Sequence, residues 1–65
     1  MYDENELLEA IFEGVKRWAF SNNVRNDEIE LTRVWATVDN PRAELLLEIG
    51  DQKFQIQVAE IIGND

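Results

Sequence analysis

The sequence predicts an α+β domain: one N-terminal helix packed on a three-stranded antiparallel β-meander, in the order αβββ and in two layers. Three observations carry this prediction. Apolar residues recur at helical spacing through the first twenty positions, a Gly-Asp pair separates two alternating segments, and a proline-containing turn precedes them. The single helical stripe is the only element long enough to cover the sheet, which leaves a two-layer packing.

The helix is read from Asp3 to Phe20. Leu7, Leu8, Ile11, Phe12, Val15, Trp18 and Ala19 follow the i, i+3, i+4, i+7 pattern of one buried stripe. Asp3 suits the N-cap, with Glu6 three residues on as its capping-box partner. Acidic residues in the first turns and Lys16 and Arg17 towards the end match the helix dipole. Ser21-Asn22-Asn23 supplies residues that tolerate left-handed geometry at the C-terminus. Gly14 interrupts the helix at a cost relative to alanine, which suggests a close backbone approach there.

After a polar connection at 24–28 come three extended segments. The last two meet at Ile49-Gly50-Asp51-Gln52, a two-residue hairpin turn expected to be type II′. This turn pairs Ile49 with Gln52, Glu48 with Lys53, Leu47 with Phe54, Leu46 with Gln55 and Leu45 with Ile56. Apolar then meets apolar on one face and a Glu–Lys pair forms on the other, an agreement that a one-residue slip destroys. The first two strands are expected to meet at Asp39-Asn40-Pro41-Arg42, with proline at the second turn position. That four-residue loop pairs Val38 with Ala43, Ala36 with Leu45 and Val34 with Leu47. The inner face is then Val34, Ala36, Val38, Leu45, Leu47, Ile49, Phe54, Ile56 and Val58. The tail AEIIG either lengthens the third strand or adds a short turn.

In this register Trp35, Leu46 and Gln55 form an outward row. Arg33, Glu48 and Lys53 lie on one side of it, and Thr37, Glu44 and Gln57 on the other. Trp35 and Leu46 are thus expected as an apolar island in a polar rim, the anatomy of an interface, with Leu31, Arg33 and Gln55 around them. An alternative stays open. Ile29 and Leu31 share phase with Trp35, whereas Val34 to Val38 have the other phase. A β-bulge near Thr32-Arg33 would reconcile the two. A loop of different length would turn Trp35 inward and leave Val34 and Val38 outside.

Composition narrows the function classes. Sixty-five residues make one domain, 1–65, near the lower size limit for independent folding. At this length, burial at about 25 cal/mol per Å² roughly balances about 1.5 kcal/mol of entropy per residue, and self-association is a common remedy. A homodimer is therefore expected. There is no cysteine and no histidine to staple a small core, hold zinc or shuttle protons. The single serine, Ser21, has no base beside it, and three scattered glycines make no phosphate loop. The acidic runs at 3–6 and 26–28 lack the spacing and central glycine of a calcium loop. No enzyme, cofactor or metal is expected.

A hydrophobic content of 45% is too high for a disordered acidic tail. The net charge of −8 disfavours nucleic acid and anionic membranes and favours a basic protein partner. Glu6, Glu9 and Glu13 form an acidic helix face. It reads either as a solvated face or as a carboxylate array imitating phosphates in an inhibitor that fills a basic groove. The acidic start lacks the pattern of a signal peptide, and no apolar run approaches the ~18 residues of a membrane span. The sequence starts with Met and ends in a polar Gly63-Asn64-Asp65, as a complete small gene product would, although a trimmed chain would look the same. A soluble cytoplasmic protein is expected. The leading functional expectation is a small acidic non-enzymatic interaction module, self-associating through the outer sheet face or an edge strand. The acidic inhibitor or nucleic-acid mimic is the alternative.

Overall fold

A computed structural model describes residues 3–61, as helix α1 (Glu4–Ser21) and strands β1 (Ile29–Val34), β2 (Ala43–Ile49) and β3 (Gln52–Val58). The strands form one antiparallel sheet in the order β1-β2-β3, the αβββ meander that the patterning predicts.

Both helix ends are closed by local hydrogen bonds. The Glu6 amide donates to Asp3 Oδ1 at 2.9 Å and the Asp3 amide donates to Glu6 Oε2 at 3.1 Å, a complete capping box. At the other end Asn23 takes φ 61°, and the Val24 amide reaches back to the Ala19 carbonyl at 2.9 Å. The Asn23 amide bonds the Phe20 carbonyl at 3.3 Å. Together these are a Schellman closure with asparagine in the left-handed position. Because the helix runs on to Ser21, no basic side chain falls in its last turn; Lys16 and Arg17 sit too early for the dipole pairing expected of them. Gly14 also departs from expectation. An added Cβ there would meet nothing within 4 Å, so no backbone packs closely against it within the chain.

The β2–β3 register matches the expected one pair for pair, from Ile49↔Gln52 to Leu45↔Ile56. Gly50 has φ 59° while Asp51 does not take a positive φ, as a type II′ turn requires.

The β1–β2 register is different. Leu47 pairs with Leu31, not Val34, and Leu45 with Arg33, not Ala36. This is a shift of three residues, and an odd shift exchanges the two faces of the strand. The reason lies in Ile29 and Leu31. In the four-residue-loop register they would fall beyond β2, opposite the Gly50 turn, with nothing to cover them. In the observed register they meet Ile49 and Leu47. The exchange leaves Val38 99% exposed and moves Val34 from the inner to the outer face, opposite Glu44. The connection accordingly runs over residues 35–42, and its turn forms at 37–40. There the Thr37 amide donates to the Asn40 carbonyl at 2.8 Å, and the Asn40 amide to Thr37 Oγ1 at 3.1 Å.

The core is small. Leu8, Ala43 and Leu45 are fully buried, with Ala19 and Leu47 nearly so. Ile11, Phe12, Val15, Leu31, Ala36, Ile56 and Val58 pack partly buried around them. Residues 59–61 form neither strand nor helix, so the tail does not lengthen β3 there; Ile62 and Gly63 lie outside the described residues.

Candidate interaction surface

The residues expected to form an outward interface are divided by the β1 register. Leu46 and Gln55 remain neighbours on the outer face, in a row completed by Thr32. Trp35 is not in that row. It follows the last residue of β1, is 46% exposed, and lies against Arg33, whose guanidinium is 5.3 Å from its ring centre. Leu31 points inward and packs on the core. Arg33 also points inward, opposite Leu45, so it does not form a row with Glu48 and Lys53. Glu30 takes that place and faces Glu48 directly.

The acidic helix residues are also engaged. Glu6 completes the capping box, Glu9 accepts from Arg33 Nη1 at 2.7 Å, and Glu13 lies 3.9 Å from Lys16 Nζ. Among the described residues no charged side chain is buried, and each such exposed pair contributes only about 0–1 kcal/mol.

A helix is about 10 Å wide and strands are spaced at about 4.8 Å, so one helix covers roughly two strands well. Here it must cover three. On the β1 side the gap is closed by specific contacts. Asn5 holds the loop backbone by accepting from the Ala36 amide at 2.8 Å and donating to its carbonyl at 3.3 Å. The Arg33 guanidinium lies 4.1 Å from the centre of the Phe12 ring. Nearer the helix C-terminus this side opens into a hollow of about 490 Å³, with Ala19, Val24, Ile29 and Leu31 among its walls and Lys16 and Arg17 at its rim. Phe20 projects beside it, 86% exposed.

The β3 side has no such closure. Leu7, Ile11, Gly14 and Trp18 occupy one flank of the helix by their spacing. Trp18 is 49% exposed, and Phe54 on the adjoining strand is 48% exposed. Between them runs an open trough of about 560 Å³, lined also by Leu47, Ile49 and Ile56. A smaller hollow between Leu7 and Val58 continues this flank towards the helix N-terminus. No residue of β3 is fully buried, although Phe54, Ile56 and Val58 all face the helix.

The two sheet edges differ in chemistry. β1 carries Glu30 on its outer face and the charged Arg33 on its inner face, devices that discourage strand addition. From Gln52 to Val58, β3 contains no carboxylate, and Lys53 is its only charge. In a chain of net charge −8 this strand carries no carboxylate of its own beside a half-exposed tryptophan and phenylalanine. Glu44 on β2, however, accepts from the Gln55 and Gln57 side chains at 3.0 and 3.2 Å, and Asp3, Glu4 and Glu60 line the Val58 end of the flank.

Patterning assigns Leu7 and Trp18 to the buried helix stripe and Phe54 to the covered inner face, and all three instead stand about half exposed. The available signal was the ratio of one helix to three strands, together with an apolar stripe wide enough to include Leu7 and Trp18 at its margin. No protein-family model matches this chain, and no curated protein or solved structure matches it either.

Proposed function

We propose that this chain is a small, acidic, non-enzymatic protein–protein interaction module of the cytoplasm, and that its contact surface is the flank between α1 and β3. One observation carries this reading: Trp18 and Phe54 stand half-exposed on either side of an apolar trough, next to an unpaired strand edge that lacks carboxylates. Aromatic anchors surrounded by polar groups dominate the energetics of interfaces. An open edge strand offers a partner a row of main-chain donors and acceptors as well.

The acidic-mimic reading draws less support. Its candidate carboxylates Glu6, Glu9 and Glu13 are distributed among a cap, an arginine and a lysine rather than set out as an open array.

The test is to replace the anchors one at a time, Phe54→Ser and Trp18→Ser. Apparent mass by light scattering and binding to the natural partner are then compared with the parent chain. Loss of association with an unchanged far-ultraviolet spectrum is expected. Full association by both variants would overturn the reading.

A further inference from the structure

We propose that the occupant of the α1/β3 flank is a second copy of this chain, joined β3 to β3 in antiparallel register about a two-fold axis at Gln55. This rests on the interaction-module reading and adds the partner and its geometry.

The free edge sets the register. A two-residue turn makes Ile49 and Gln52 exchange both main-chain hydrogen bonds, and bonding then alternates along the ladder. Phe54, Ile56 and Val58 therefore bond to β2. Lys53, Gln55 and Gln57 direct their amides and carbonyls to the open side. Gln55 is the midpoint of Gln52–Val58, so a two-fold axis there pairs the whole strand. It sets Gln55 opposite Gln55 of the second copy, Lys53 opposite Gln57, and, on the inner face, Phe54 opposite Ile56. An axis at Lys53 would oppose two lysines, and an axis at Gln57 would bring Glu60 against Phe54.

Packing above the sheet agrees. In the resulting six-stranded sheet the two helices stand about three strand spacings apart, roughly 14 Å, against the 8–10 Å of direct helix contact. Large side chains must fill the difference. The two-fold axis supplies them, because Trp18 lies over the Gln52–Phe54 end of β3 and Leu7 lies at the Val58 end. The helices run antiparallel, and Trp18 of each copy faces the Leu7 end of the other. Charge agrees with this register as well. Two copies of net charge −8 repel each other, but β3 itself carries Lys53 and no carboxylate. Pairing Lys53 with Gln57 of the second copy sets the lysine beside the Glu44 carboxylate to which that Gln57 donates.

The experiment uses the full chain, which contains no cysteine, so a single introduced thiol reports unambiguously. Light scattering at micromolar concentration is expected to give twice the 7.6 kDa chain mass. Gln55→Cys is expected to form a disulfide-linked dimer on mild oxidation, as the short Cα separation across a strand pair allows. Lys53→Cys and Gln57→Cys are each expected to stay unlinked alone and to cross-link when mixed. Gln55→Pro removes an amide that faces the open edge, so the chain keeps its own ladder and its far-ultraviolet spectrum but loses the dimer mass.

A dimer that survives Gln55→Pro, or that cross-links through Ile56→Cys in preference to Gln55→Cys, overturns the β3 pairing and leaves the interaction-module reading intact. A chain monomeric up to millimolar concentration overturns self-pairing altogether. The broader reading then stands or falls by partner binding of Phe54→Ser.

Discussion

Arg33 reaches inward from β1 to Glu9 on the helix, with Nη1 donating to Oε1 at 2.7 Å, and the same guanidinium lies against the Phe12 ring. A charged residue on the helix-facing side of an edge strand is tolerated because its planar head both bonds a carboxylate and stacks on an aromatic face. Arg33→Ala is expected to destabilise the fold by about 1–2 kcal/mol, summing an exposed ion pair and a cation–π contact. Arg33→Lys should recover less than half of that, since an ammonium cannot stack in the same way. Urea denaturation of the two variants measures the difference. Equal stability of lysine and arginine would assign the whole effect to charge.

Asn5 acts as a substitute strand for the start of the 35–42 loop, bonding both the amide and the carbonyl of Ala36. These atoms are partly buried, so removing the carboxamide leaves both without a partner. Asn5→Ala is expected to cost about 1–3 kcal/mol. Asn5→Asp keeps the acceptor for the Ala36 amide but opposes its carbonyl with another oxygen, and should be no better. Trp35 emission should shift to the red in both as the loop loosens, and an unshifted spectrum would show that the loop is held by other contacts.

Glu30 directly opposes Glu48 across β1 and β2. Like charges in this position destabilise a sheet, while the opposite pairing contributes roughly 0.2–1 kcal/mol. Glu30→Lys should therefore raise the melting temperature, more at low salt than at high salt because the charges are exposed and screened. A gain independent of salt would point to strand propensity instead.

The contrast between the two hairpins shows what the sequence could reveal. Around Gly50-Asp51 the turn residues, the apolar pairs and the Glu48–Lys53 pair all specify one register, and it is the one formed. Between β1 and β2 two alternating runs of opposite phase compete, Ile29–Leu31 and Val34–Val38. Pro41 favoured the second run, but burial of Ile29 and Leu31 against Ile49 and Leu47 decides for the first. Trp35 was expected outward beside Leu46, and the observed register takes it out of that row; Val34 and Val38 outside the core are what the alternative loop length implied. β3 was legible as an edge. The exposure of Trp18 and Phe54 depends on how much sheet one helix spans, a tertiary quantity that local patterning does not encode.

Asn23 holds φ 61° at the helix C-terminus, where glycine adopts the same geometry without a Cβ penalty. Asn23→Gly is expected to stabilise by a few tenths to about 0.5 kcal/mol, the strain relieved slightly outweighing the added freedom of the unfolded chain. Asn23→Ala should destabilise by about 1 kcal/mol for the opposite reason. Denaturant midpoints of the three chains should fall in the order Gly, Asn, Ala; any other order would mean that the Asn23 side chain contributes through another contact.

Gly14 sits in the middle of an exposed helical face, and within one chain nothing approaches the position a Cβ would take. Helix propensity alone then gives Gly14→Ala a gain of about 1 kcal/mol. Gly14 lies on the flank shared with Leu7, Ile11 and Trp18, so in the β3-paired dimer it faces the second helix. Thermal melts of dilute chain report the propensity term, and light scattering across a concentration series reports association. A more stable chain with unchanged association places the neighbouring helix beyond reach of the added methyl. A more stable chain that associates less well marks Gly14 as a position covered by a large side chain of the second copy, which would explain a helix-weakening residue on a face that is open within the single chain.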